Sequence, residues 1–473
     1  MTEPPKRTNA QPSLHGREAA LQAVVDVLHG RGFVQESLGR LRQQRHLRGR
    51  EASLARQIAL GAVRHALTID HVLSAVARYD PRRVRTPLRA ILLTAAYQIL
   101  WMDRIPVFAA VNEAVEQARR HVGRRAPGMV NAVLRRLSGA IRVRRDTWRP
   151  RATHQVRTGF DRACTFETDV MPDAQRDGLA AYLAAAASER PERIAVLMAR
   201  HGEEGAESIA WAAQAVPVTV VHRHLLRLSP GVFQTRLREA FGAAAEWSPD
   251  SAYLPAMVNV VDTALFREGR IYIQDVTARE AALLLDARRG ESLLDFCAAP
   301  GGKAIVLAMQ MDDRGEVVAC DASPDRILRV RDNARRLRLT SIRTHLIQTS
   351  DASESDLARL FDGALVDVPC SNSGVIARRP EARLGLTPEK LASLTALQGA
   401  LLRRAAASVR PGGRLVYSTC SIEPEENEQV VEAFLAEHPS WKVETARTTL
   451  PRWGAQLSDW RDGGYAALLR RGG

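Results

Sequence analysis

The sequence predicts three successive regions: an all-helical N-terminal domain, a small α+β middle region and a C-terminal α/β domain. Three observations carry this reading. The 473 residues exceed one domain at about 100–200 residues each. Apolar residues in the first third recur at helical spacing with no convincing strand alternation. From about residue 266, short apolar runs alternate with helical patterns, the grammar of a doubly wound parallel sheet.

Residues 1–15 carry Pro, Asn, Gln and Ser without periodicity and read as a disordered tail. Residues 16–140 read as helices. The best of them starts at Thr86-Pro87, a possible cap followed by proline at the first helical position. Leu88, Ile91, Leu92, Ala95, Ala96, Ile99 and Leu100 then form one apolar stripe. In a later helix Met129, Val130, Val133, Leu134 and Leu137 lie to one side, with Arg135 and Arg136 toward the other. Trp101 and His65 read as packing residues.

Residues 141–265 read as a linker and a small mixed region, expected to contact RNA. Within it, 141–170 is Arg-rich and irregular, 175–215 is helical, and Val216–Val221 is a β-branched strand. Residues 266–473 form the α/β domain. Its candidate strands are Ser292–Phe296, Glu316–Cys320, Thr344–Ile347, Gly363–Val366 and Gly413–Tyr417. Ligands of such a sheet lie beyond the carboxyl ends of its strands.

Composition narrows the class of protein. Hydrophobic residues are 45% and charged residues 25%, which excludes a wholly disordered chain. No apolar run reaches about 18 residues and the N-terminus lacks a secretory pattern, so no membrane partner is expected. Five cysteines, at 164, 297, 320, 370 and 420, form no close pairs. That speaks against a disulfide framework or a metal site and suits a reducing cytoplasm. The net charge is +14, and residues 1–160 hold 29 Arg and Lys against 11 Asp and Glu. The segregated excess is the footprint of a polyanion binder. Base composition explains why only Lys6, Lys303, Lys390 and Lys442 are lysines, but not why the charge is segregated.

The first candidate strand runs into Asp295, Phe296, Cys297, Ala298, Ala299, Pro300, Gly301, Gly302 and Lys303. Paired glycines here let backbone approach a cofactor. A phosphate-binding P-loop needs Gly at Cys297 and Ser or Thr at Ala304, so that reading fails twice. Asp321 follows Gly302 by 19 residues, the spacing of a carboxylate on ribose hydroxyls. A nucleoside cofactor without phosphates is the economical inference, and S-adenosyl-L-methionine fits. Asp351 and Asp367 also follow candidate strands. Asp367 opens Asp367-Val368-Pro369-Cys370-Ser371, and the last strand ends in Thr419-Cys420-Ser421.

A lone cysteine is more often a small buried hydrophobe than a nucleophile. Two at the ligand edge, one close to a carboxylate, point to catalysis. Carbon 5 of cytosine is too weak a nucleophile to attack a methyl sulfonium. A thiolate adding to carbon 6 activates it, with an acid at nitrogen 3 and a base to remove the carbon 5 proton. Spacing does not decide which cysteine attacks.

With these motifs the chain resembles the Sun/Fmu family of RNA 5-methylcytosine methyltransferases. Gln274-Asp275 and Asp462-Gly463-Gly464-Tyr465 flank the motifs as in that family. The run from Gly128 to Arg136 is similar to the NusB-like RNA-binding domain of its bacterial small-subunit rRNA members. The resemblance implies a Rossmann-like class I methyltransferase domain acting on RNA, 16S rRNA in the first instance. The same reaction on tRNA or large-subunit rRNA, or a non-catalytic RNA-binding antitermination factor, are the alternatives. It also implies that Cys297 to Lys303, Asp321, Asp351 and Asp367 line the S-adenosyl-L-methionine site. Cys420 is then the nucleophile, Cys370 assists product release, Asp367 also assists at nitrogen 3, and Lys303 lies near cofactor and base. The sequence departs from the family pattern at Val368, Asn372 and Val221-His222-Arg223.

Overall fold

The computed structural model describes residues 15–45, 47–242, 245–256, 258–347 and 359–473. Most of the expected tail and Asp351 lie outside the described residues. The chain forms two compact units, one of residues up to 215 with Arg379–Leu384, the other of residues 216–378 and 385–473.

In the first unit, helices occupy most of the chain to Gly139. The Thr86–Trp101 helix is capped by Arg85 rather than Thr86, without a side-chain cap bond. Its apolar stripe extends further than the spacing predicts: every residue from Ala90 to Leu100 is buried. The helix is central, and its polar members are satisfied locally. Thr94 Oγ1 donates to the Ala90 carbonyl at 3.0 Å, and Gln98 accepts from Arg17 at 2.8 Å. Close packing requires Gly61, because a Cβ there would fall 1.9 Å from the Tyr97 ring. His65 stacks on Trp101 with centroids 4.1 Å apart, as packing residues do.

The Arg-rich stretch after residue 140 is not irregular. Ile141–Thr147, Gln155–Arg157 and Arg162–Phe166 form a three-stranded antiparallel sheet with the last strand central. Its arginines obscured the pattern because they bond as well as charge the surface. Arg144 donates to the Ile99 carbonyl at 2.7 Å near the end of the central helix. Arg157 lies 3.7 Å from the Trp148 ring centroid. The Leu179–Ala186 and Pro191–Gln214 helices follow, the second interrupted at Gly202.

The second unit opens with a four-stranded antiparallel sheet whose Thr219–Arg223 strand pairs with Ser251–Leu254 and Ile271–Ile273. Its departures from the family pattern serve structure. His222 is buried between Ser251 Oγ at 2.7 Å and the Gln274 carbonyl at 3.0 Å, and Arg223 donates to Asp250 at 2.5 Å. A seven-stranded sheet follows in the order Ile342–Leu346, Glu316–Asp321, Ser292–Phe296, Phe361–Asp367, Val409–Thr419, Gly464–Arg471, Trp441–Thr449. The first five run parallel, and the last two, absent from the sequence expectation, add antiparallel.

Both faces of the parallel part are covered, so successive residues serve opposite cores. Leu293, Val317 and Leu365 face the cluster holding Ile305 and Val330. Leu294, Val318 and Val366 face the one holding Leu402 and Phe434. Each fully buried Leu or Val contributes roughly 1.5–3 kcal/mol. Ser292–Phe296 lies between Glu316–Asp321 and Phe361–Asp367, so the strand order reverses there. That switch point is where such sheets bind ligands. Among the described residues no helix is long and apolar enough to cross a membrane.

Candidate active site

The loop after the Ser292–Phe296 strand is bent by two left-handed residues. Cys297 has φ +78° and Gly301 has φ +100°. Gly301 caps the Gly302–Gln310 helix, and a Cβ on it would press on Val330 at 3.1 Å. The Ala298 amide donates to the Cys320 carbonyl at 2.7 Å, pinning the loop to the neighbouring strand. Asp321, at that strand's end, is buried. It accepts from the Ala299 amide at 3.3 Å and the Ser323 amide at 3.0 Å, with Arg326 at 3.4 Å. Asp321 thus shapes the glycine loop as well as closing its edge. The Gln274 amide lies 3.1 Å from where a Gly302 Cβ would stand, and its Oε1 is buried without a partner.

Lys303 reaches from the first turn of this helix to Asp367, Nζ to Oδ2 at 2.6 Å. Burial opposes its charge, but Asp367 and then Asp295 outweigh that and raise the ammonium above its ordinary range. Cys420 adds to the same field. Asp367 also accepts from Ser418 Oγ at 2.7 Å. Asp295 is fully buried, and burial pushes it up to about 7 against the pull of Lys303. Burial, reinforced by Asp367 and Asp321, pushes the Cys297 thiol up to about 12.

The two strand-end cysteines, 50 residues apart in sequence, meet with their sulfurs at 3.1 Å. Their loops are tied together by buried bonds. Glu426 accepts from the Ser371 amide at 2.8 Å, Ser371 Oγ at 2.5 Å and Gln398 Nε2 at 2.9 Å. The Gly374 amide donates to the Cys420 carbonyl at 3.0 Å, and the Gly463 amide to the Gly374 carbonyl at 2.8 Å. A Cβ on Gly374 would collide with Gly463 at 2.6 Å. Asn372, one of the departures, has φ +62°, which Asn tolerates better than most residues. Its side chain accepts from Cys420 Sγ at 3.4 Å and donates to the Cys370 carbonyl at 2.9 Å. The hydrogen bond to Cys420, then burial, holds the Cys370 thiol well above its ordinary range.

The structure therefore brings Lys303 and Asp367 together, and Cys370 with Cys420, while the glycine loop and Asp321 form one cradle. Sequence reasoning missed Glu426, Gln398 and Arg378. Arg378 bridges Asp462 and, at 3.2 Å, Asp275, and donates to the Val218 carbonyl at 3.1 Å. A lone arginine after the cysteine motif gives no spacing signal. Its partners Asp275 and Asp462 belong to the flanking motifs, but nothing in sequence links them. Among the described residues no group of three or more His, Cys, Asp or Glu stands ready to hold a metal.

A parallel sheet extended by an antiparallel pair, with a glycine cradle and strand-end acid at its switch point, defines a Rossmann-like class I methyltransferase domain. The sequence profile described as 16S rRNA methyltransferase RsmB/F matches residues 282–458, and that of the NusB family matches 15–139. Ribosomal RNA small subunit methyltransferase B of Vibrio cholerae is 30% identical over 96% of this chain and 96% of its own. The solved structure of PH0851 superposes with a TM-score of 0.73 at 22% identity, covering 97% of this chain and 99% of that one. A methyltransferase homolog protein from Pyrococcus horikoshii superposes with a TM-score of 0.51 at 25% identity, over 61% of this chain and 97% of that one. The chain belongs to the ribosomal RNA small subunit methyltransferase B family.

Proposed function

We propose that this protein transfers a methyl group from S-adenosyl-L-methionine to carbon 5 of a cytosine in RNA, with small-subunit 16S rRNA as the substrate. The observation that carries the chemistry is the 3.1 Å approach of Cys370 and Cys420 beside the Lys303–Asp367 pair. The relatives' activity on ribosomal RNA supports the substrate.

The residues present suit the nucleoside. Asp321 offers a buried carboxylate for the ribose hydroxyls, the glycine loop leaves open backbone, and the unpartnered Gln274 Oε1 suits an amino group. When bound, S-adenosyl-L-methionine supplies an electrophilic methyl group on a sulfonium. The rest falls to the chain. The Cys420 thiolate adds to carbon 6, forming the carbon–sulfur bond and making carbon 5 nucleophilic. Asp367, with Lys303 against it, holds the proton at nitrogen 3 during that addition. Once carbon 5 carries the methyl group, a base takes its proton, the carbon–hydrogen electron pair restores the ring double bond and the carbon–sulfur pair returns to Cys420. Cys370, beside that sulfur, assists this release. The target base must leave its stack to reach the thiols.

Denaturing gels of Cys420→Ala and Cys370→Ala incubated with RNA and S-adenosyl-L-methionine test the assignment. Cys420→Ala should neither methylate nor form an adduct, and Cys370→Ala should accumulate a covalent protein–RNA species. An adduct with Cys420→Ala and none with Cys370→Ala would reverse the two roles.

A further inference from the structure

Cys370 and Cys420 touch, offer the same chemistry and have different work to do, so their surroundings must set them apart. Below Cys370 lies Glu426, which is fully buried. Three donors converge on its carboxylate. The Ser371 amide at 2.8 Å and Gln398 Nε2 at 2.9 Å reach one oxygen, and Ser371 Oγ at 2.5 Å reaches the other. An ionised carboxylate only accepts, and this is the pattern it requires. All three partners are neutral groups. Ser371 follows Cys370 directly, so the charge is held against the backbone that carries this thiol. It is also held firmly. Gln398 donates to the Pro369 carbonyl at 2.9 Å, and the Tyr417 hydroxyl donates to the Glu426 carbonyl at 2.6 Å.

A negative charge in a buried site opposes a second one nearby. The hydrogen bond to Cys420, burial, the Cys420 charge and then Glu426 all hold the Cys370 thiol above its ordinary range. Cys420 has another neighbour: it lies in the field of the Lys303 ammonium and helps to raise it. Each thiol therefore answers to a charge of different sign. We propose that Glu426 is a positioning residue that divides the labour between the thiols, its buried charge reserving Cys370 for product release and leaving attack on carbon 6 to Cys420. No bond to Glu426 forms or breaks in the reaction. This role presupposes the methyl-transfer reading, whereas chemical labelling of the thiols needs no RNA.

Glu426→Gln removes the charge and little else. The amide oxygen can keep the Ser371 amide and Gln398, while its NH2 donates to Ser371 Oγ, whose own proton can turn to Ser421 Oγ at 3.3 Å. The full chain carrying Cys420→Ala is treated with iodoacetamide, and label on Cys370 is followed by peptide mass spectrometry. Adding Glu426→Gln should speed that labelling about tenfold, because the thiolate is the reactive form and a like charge has gone. Glu426→Asp keeps the charge but draws it back by one methylene, so it should fall between the two. Gln398→Ala is the control: it loosens the same loop and keeps the charge, so labelling should stay near the parent's. A second measurement places Glu426→Gln in the otherwise unaltered chain, with RNA and S-adenosyl-L-methionine. A covalent protein–RNA species should accumulate above the wild type, less than in Cys370→Ala, with cofactor affinity unchanged in calorimetry. Cys370 labelling that Glu426→Gln leaves unchanged, or that Gln398→Ala raises as much, would overturn the role. So would a Glu426→Gln chain that releases product as fast as the wild type. Labelling as expected in a protein whose wild type methylates no RNA would keep the hold of Glu426 on Cys370 and strike the methyl-transfer reading alone.

Discussion

Arg378 and Arg124 carry the same guanidinium into opposite surroundings. Arg378 is partly buried behind the cysteine loop, bonded to two buried carboxylates and a backbone carbonyl. Arg124 stands exposed on a groove whose one acid is engaged by other residues. A charge taken out of water must be paired in the folded chain itself, so it holds the scaffold. A charge left in water without a partner adds little to stability and is free to meet an anion. The region around the strand ends follows the first rule, and the groove in the helical unit follows the second. Substitutions should separate them.

The largest difference is expected at Arg378. Arg378→Met leaves Asp275 and Asp462 buried without their counter-charge, which should cost about 3 kcal/mol of stability in urea denaturation of the full chain. Arg124→Ala should stay within about 0.5 kcal/mol of the parent, as surface substitutions do. Equal costs at the two sites would mean that the groove arginine is structural as well.

His222 extends the first rule to a titrating group. Burial pushes its imidazole down to about 3 from 6.5. Between those values the unfolded chain binds a proton that the folded chain does not. Stability from this site is therefore complete above pH 6.5 and lost as pH falls. The loss should reach about 2 kcal/mol at pH 5. In His222→Gln this part of the acid sensitivity should vanish, and denaturation midpoints of both proteins from pH 7.5 down to pH 5 would show it. Parallel pH profiles would show that His222 does not carry the effect.

The same contrast explains what the sequence disclosed. Four of the five parallel strands were legible within two residues at both ends, because burial on both faces leaves continuous apolar runs such as Leu293-Leu294. The glycine loop, Asp321 and the two cysteines stand at the strand ends where the sequence pattern puts them, because strand ends are marked by where the apolar runs stop. The Trp441–Thr449 strand was not legible, since it lies at the sheet edge with most residues exposed and reads as polar chain. The sheet within 141–166 was hidden by its arginines. The 3.1 Å meeting of the thiols and the ties through Glu426 and Arg378 were out of reach, because they arise from pairing residues far apart in the chain.

Asp321 sits between the two rules. It is buried and bonded to the Ala299 and Ser323 amides, yet it also borders the open glycine loop. Charge-assisted bonds from ribose hydroxyls would each contribute roughly 1.5–3 kcal/mol. Asp321→Ala should therefore weaken S-adenosyl-L-methionine binding by at least tenfold in calorimetry. Some stability should go with it, because two amides lose their acceptor. Unchanged affinity with lowered stability would make Asp321 a loop brace alone, on the Arg378 side of the comparison.

The smallest expected effect is at Asp80, where the two rules compete at one residue. Its carboxylate accepts from the Arg82 amide, which an Asn side chain can also do. It also pairs with Arg82 and with Arg83, the second of which lies on the groove. Both partners are largely exposed, so the ion pairs should contribute little to the fold. Asp80→Asn should leave the thermal midpoint unchanged within error. If the basic helical unit meets RNA, removing this negative charge should tighten RNA binding slightly and steepen the salt dependence by less than about one in slope. The direction matters more than the size. Weaker binding in Asp80→Asn would mean that the carboxylate positions the arginines for the ligand rather than merely opposing it. The groove would then be as preorganised as the site around Arg378, and the contrast between the two regions would fail.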